Sequence, residues 1–93
     1  MRMRKKKNLD VRLARCASVM VADPAACRGK WRELFGNDHP VRLEIGCGKG
    51  RFILETAKRE PDVNFVAIER EEGALIMATE KAMAEEAPMR FSW

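Results

Sequence analysis

Leu43-Glu44-Ile45-Gly46-Cys47-Gly48-Lys49-Gly50, entered through Val41-Arg42 and left through Arg51-Phe52-Ile53-Leu54, is the stretch that decides the fold. An apolar run ends beside a carboxylate, turns through three glycines at alternate positions, and resumes with helical periodicity. A strand, a glycine-rich turn and the first turn of a helix present backbone N–H groups to a nucleotide-like ligand. Among Gly46, Gly48 and Gly50, the turn predicts three tasks. One glycine takes positive φ, one lets the backbone approach the ligand, and one lets helix and strand pack with no Cβ between them. A glycine-rich loop that binds nothing is the plainer alternative.

The spacing selects among ligands. A dinucleotide fingerprint, G-x-G-x-x-G, requires glycine at 51, where Arg51 stands. The pattern here is acidic-x-G-x-G-x-G, running from Glu44, and it resembles the first motif of S-adenosylmethionine-dependent methyltransferases of the Rossmann-like class. A second apolar run, Asn64-Phe65-Val66-Ala67-Ile68, ends in Glu69, 23 positions beyond Gly46. In a βαβ unit, a carboxylate about 20 residues past the first glycines sits at the next strand's tip. There its two oxygens can accept from both ribose hydroxyls, and a 2′-phosphate would be repelled. The alternative for Glu69 is a solvated carboxylate opening the next helix, with Glu71 and Glu72 at that helix's positive end.

Ninety-three residues suffice for one small domain, and a hydrophobic share of 46% is ordinary for a globular chain. No apolar run approaches the ~20 residues of a membrane span. The basic start is followed by Asn8, Asp10, Arg12 and Arg15 where a signal peptide needs apolar residues, so a cytoplasmic protein with no membrane partner is expected. Cys16, Cys27 and Cys47 form no C-x-x-C pair, and His39 is the lone histidine. Neither a metal site nor a disulfide framework is expected, and a reducing compartment fits. Cys47 in the turn reads as a small residue tolerated there, with a reactive thiol as the other possibility. Residues 1–32 carry ten basic and two acidic side chains, a net +8, whereas the remainder carries eight basic and twelve acidic, a net −4. A basic arm on a mildly acidic body suits a binder of phosphate backbones; a solvated tail without a partner has the same composition.

In chain order, residues 1–8 read as an arm. Leu9, Leu13, Cys16/Ala17 and Met20 predict a weak helix ending by Asp23-Pro24, after which Pro24–Cys27 can begin another turn. Lys30–Phe35 predicts a short helix closed by Gly36, with Trp31, Leu34 and Phe35 on one side. That side docks on the sheet or stacks on RNA bases. A strand over 41–45, a helix over 50–59 with Ile53, Leu54 and Ala57 inward, and a strand over 64–68 follow. A helix over 71–86 is then expected to bury Ala74, Leu75, Ala78, Ala82 and Met83, before a third strand opens at Met89. The order β-α-β-α-β implies a parallel sheet. With nothing after the third strand, the first strand is left at an edge, so the chain reads as the front half of a domain.

Taken together, these residues resemble the bacterial tRNA (guanine-N7)-methyltransferase family. The likeness rests on Met1-Arg2-Met3-Arg4-Lys5-Lys6, the segment Gly29 to Asp38, the glycine motif with Arg51-Phe52-Ile53, and Ala67-Ile68-Glu69-Arg70. It implies the N-terminal half of a Rossmann-like α/β methyltransferase domain, with residues 1–40 as basic arm and short helices and 41–93 as a partial cofactor-binding domain. It also implies transfer of a methyl group from S-adenosyl-L-methionine to a variable-loop guanine of tRNA. By that resemblance, Glu44, Gly46, Gly48, Gly50 and Glu69 would bind the cofactor, and Arg2, Arg4, Lys5, Lys6 and Lys7 would contact tRNA. No catalytic residue is assigned, because the substrate-side motifs of the family do not occur before Trp93, and the chain by itself is expected to be inactive. Phe91-Ser92-Trp93 departs from the family's usual continuation. A non-catalytic RNA- or nucleoside-binding module, or a fragment of a small-molecule methyltransferase, are the competing readings.

Overall fold

The computed structural model describes residues 9–92; Arg2, Arg4, Lys5, Lys6, Lys7 and Trp93 lie outside the described residues. Three parallel strands, β1 (Val41–Ile45), β2 (Asn64–Ile68) and β3 (Met89–Ser92), stand in the order β1-β2-β3. Helix α3 (Arg51–Arg59) connects the first pair, and α4 (Glu72–Ala84) connects the second. Lys58 and Arg59 suit the negative end of α3, which stops before Pro61. Good helix formers fill α4, which stops before Pro88. The α/β class and the strand order expected from the sequence are both present.

Side chains alternate across each strand, and the registers Phe65↔Met89 and Ala67↔Phe91 put these four residues on one face. They form the core with Ile53, Leu54 and Ala57 of α3 and Leu75, Ala78 and Ala82 of α4. On the opposite face Arg90 lies beside Val66. The Arg90 guanidinium sits 5.2 Å from the ring centroid of Phe35, bringing α2 (Trp31–Phe35) against that face. Val41, Leu43 and Ile45 share this second face by register but remain largely exposed. Their neighbour Arg42 points to the first face, stacking 5.4 Å over the Phe65 ring and bonding Glu60 at 2.6 Å.

Three expectations need correction. The first helix, α1 (Leu9–Arg15), ends early; Ala17–Val19 form a 3-10 turn and Met20 is extended. The cause is the free edge of β3: Met20 pairs with Phe91, and the Val21 N–H donates to the Phe91 carbonyl at 2.7 Å. The tighter turn also aims Cys16 and Val19, three residues apart, into the core together. On α2, Trp31 and Phe35 are half-buried and Leu34 is exposed, so the three do not make one buried side. On α4, Met83 is 38% exposed, whereas Ile76 and Thr79 are fully buried. Here α1 flanks α4: Arg12 forms a two-pronged pair with Glu80 at 2.9 and 2.5 Å, and Ile76 lies one turn before Glu80 on the same row.

Candidate functional site

The register Ile45↔Ile68 ends β1 and β2 at the same level, so the glycine turn and Glu69 leave the sheet side by side. The Ile68 carbonyl accepts from Gly46 N–H at 2.7 Å and from Cys47 N–H at 3.3 Å. Glu69 Oε1 accepts from Gly48 N–H at 2.8 Å, and Oε2 accepts from Glu71 N–H at 2.9 Å. One half-buried carboxylate thus ties the turn after β1 to the entry of α4. The Glu69 N–H in turn donates to Ser92 at 3.1 Å, fixing the strand tip from the β3 side.

The three glycines divide the work differently from the sequence expectation. All three take positive φ. A Cβ at Gly46 or Gly48 would meet nothing within 4 Å, so both face open space where a ligand can lie against the backbone. A Cβ at Gly50 would stand 2.8 Å from the Ala78 Cβ, so this glycine serves close contact with α4 rather than with a strand. The N–H groups of all three glycines are bonded within the chain, to the Ile68 carbonyl, Glu69 and the Cys47 carbonyl in turn, so the expectation that they are presented to a ligand does not hold. What Gly46 and Gly48 can offer a ligand is therefore room rather than a donor.

Ile45, Gly46, Ile68, Glu69 and Arg70 line a cleft of about 450 Å³ across the two tips. That is the size of a small-molecule site, at the carboxyl ends of parallel strands where ligands of open α/β sheets bind. Glu44 is half-buried and faces the side of the sheet that carries Ala67. Burial pushes the Cys47 thiol up to about 11, assisted by the charges of Glu69 and Glu44. A thiol so raised stays protonated near neutrality, which makes Cys47 a packing residue rather than a nucleophile. Among the described residues, no group of three His, Cys, Asp or Glu side chains could hold a metal. No described helix is long and apolar enough to cross a membrane.

The structure brings Glu44, Gly46, Gly48 and Glu69 together at one sheet end and sends Gly50 inward. The proposed tRNA contacts Arg2, Arg4, Lys5, Lys6 and Lys7 lie outside the described residues. Sequence reasoning gave no separate role to Ile45, Ile68 and Arg70 as cleft walls. Ile45 and Ile68 are the last residues of the two strands and Arg70 follows Glu69, and that place is the signal that marks them.

A family model described as "Putative methyltransferase" matches residues 38–89. The chain belongs to this methyltransferase family. Curated relatives named tRNA (guanine-N(7)-)-methyltransferase include one from Geobacillus thermodenitrificans, 47% identical over 88 residues, which cover 95% of this chain and 41% of the relative. One from Lactococcus lactis subsp. cremoris is 42% identical with the same coverages, and one from Bacillus subtilis is 42% identical over 87 residues, 94% and 41% of the two chains. The chain therefore spans about two fifths of the length of the curated methyltransferases it matches. The matched span begins just before β1 and ends at the first residue of β3, so it contains both strand tips and the cleft between them.

Proposed function

We propose that this chain is the cofactor-binding part of an S-adenosyl-L-methionine-dependent tRNA (guanine-N7)-methyltransferase of the cytoplasm. The observation that carries the reading is the single carboxylate of Glu69 standing 2.8 Å from Gly48 N–H at the wall of the cleft. The printed function of the relatives supports the reaction and its tRNA substrate. The residues present fit the cofactor: an acidic side chain for the ribose, and open backbone at Gly46 and Gly48 for the methionine part. When bound, S-adenosyl-L-methionine supplies a methyl group activated on a sulfonium. Glu69 would accept hydrogen bonds from the ribose hydroxyls, and Glu44 would add a second carboxylate near the turn. The basic residues Arg2, Arg4, Lys5, Lys6 and Lys7 would meet tRNA phosphates.

Guanine N7 already carries a free lone pair, so the site has no proton to remove. Its task is to hold the reacting atoms in line at about 3–3.5 Å. Replacing Glu69 by Ala is expected to weaken S-adenosyl-L-methionine binding by about 1.5–3 kcal/mol, the range for hydrogen bonds to a charged group. Titration calorimetry with equal affinities for both proteins would reject the assignment. Methyl transfer from labelled cofactor to unmodified tRNA then separates an enzyme from a module that binds without turnover.

A further inference from the structure

Both oxygens of Glu69 already have partners before any ligand arrives. Oε1 holds Gly48 N–H at 2.8 Å and Oε2 holds Glu71 N–H at 2.9 Å. Gly48 has φ +57 and an added Cβ would meet nothing within 4 Å, so no packing on that side holds it, and its carbonyl has only the weak Cys47 thiol donor at 3.6 Å. The neighbouring Gly46 and Cys47 are held by a different acceptor, the Ile68 carbonyl. The Cys47–Gly48 peptide thus has its carbonyl bonded within the turn, to Gly50 N–H at 3.0 Å, while its N–H relies on one side chain 21 positions away.

We propose that Glu69 is the latch of the glycine turn as well as a ribose ligand: it fixes the Gly48 peptide in its binding shape in the ligand-free protein. The proposal rests on the reading above that the cleft takes an adenosyl group. A carboxylate oxygen has two lone pairs, so each oxygen keeps one for a ribose hydroxyl while holding its backbone N–H. The ligand then displaces nothing on entering, and the ordering of the turn is complete before binding. Glutamine cannot reproduce this. Its amide nitrogen would oppose one of the two N–H groups, so one end of the bridge is lost although the shape is kept.

Hydrogen exchange on the ligand-free chain tests the latch. In Glu69→Ala, the Gly48 and Glu71 amides are both expected to exchange about tenfold faster or more, the least that losing a hydrogen bond to a charged group gives, and in Glu69→Gln at least one of the two does so. The Gly46 and Cys47 amides, bonded to Ile68, serve as internal controls. Unchanged Gly48 exchange in both variants overturns the proposal, and so does an equal acceleration of all three amides. The Glu71 amide, bonded to the other oxygen, gives a second reading: if it is unchanged in Glu69→Ala, the bridge is overturned. Adenosine and 2′,3′-dideoxyadenosine, measured against both forms, keep the two roles apart. Loss of the latch weakens both nucleosides alike, whereas loss of ribose contacts shrinks the difference between them. Faster Gly48 exchange with that difference intact upholds the latch and removes the ribose role. A smaller difference with Gly48 exchange unchanged does the reverse.

Discussion

The two edges of the sheet are built from similarly apolar strands and meet opposite fates. At β3, Phe91 is fully buried; Met20 pairs with it, and the Val21 N–H closes its carbonyl. At β1, Leu43 is 52% and Ile45 75% exposed, and β2 is the only strand paired with it among the described residues. The two edges also differ in face: Phe91 lies on the face covered by α3 and α4, whereas Leu43 and Ile45 lie on the opposite face, so burial depends on what covers each face as well as each edge. Residues 16–21 return to β3, beside the turn of Cys16 and Val19 that enters the core. An exposed apolar edge such as β1 is a surface on which another strand can pair.

The largest expected effect tests the closed side. Phe91→Ala should destabilise by about 3–5 kcal/mol, the usual cost of truncating a buried aromatic side chain, as read from urea denaturation. A loss below about 1 kcal/mol would mean that the β3 edge is as loosely packed as β1. Next comes Gly50→Ala, which sets a Cβ 2.8 Å from Ala78 at a φ of +84. Left-handed strain and overpacking together predict a loss of about 2–4 kcal/mol, whereas Gly46→Ala, with the same strain in open space, should lose less. Equal losses would show that packing under α4 contributes nothing.

A smaller effect concerns the pair joining α1 to α4 on the closed side. The Arg12 guanidinium, hydrogen-bonded to Glu80, lowers that carboxyl's pKa below its ordinary value. The stabilisation is therefore complete above the unfolded carboxyl's pKa and is lost as pH falls through the lowered folded value. The melting-temperature gap between the unmodified chain and Glu80→Gln should be small at about pH 7, since the pair is partly exposed, and should shrink as pH falls through the lowered folded value. A gap that widens in acid would contradict the pairing. The smallest effect belongs to the open edge. Ile45→Ser should change stability by no more than about 0.5 kcal/mol, as surface substitutions do. A loss comparable to that of Phe91→Ala would reveal that β1 is covered in solution, and sedimentation of the same variant would show whether a second copy does the covering.

Much of the fold was legible because its signals are local. Ile53, Leu54 and Ala57 at helical spacing marked the inner face of α3, and all three are buried. Pro61 and Pro88 marked helix ends, and Gly36 caps α2 with φ 74, as its place after Phe35 implied. The site was legible in the same way, through a turn rich in glycine and a carboxylate after the next apolar run. Met83 was misplaced because helical periodicity locates a stripe only relative to an unknown neighbour. The neighbour here includes α1, whose contact with α4 runs through Arg12 and Glu80, 68 positions apart. The early end of α1 is set in the same non-local way: Met20 gains a partner only once β3 exists.

Sequence alone determined the order β-α-β-α-β, the glycine turn after β1 and the carboxylate after β2. Each of these follows from residue spacing and backbone freedom within a few neighbours. Tertiary structure decided that Glu69 holds Gly48, that Gly50 lies beneath Ala78, and that one sheet edge is covered while the other is open. Those outcomes depend on which distant groups come within hydrogen-bonding or contact distance, and no local pattern encodes that choice.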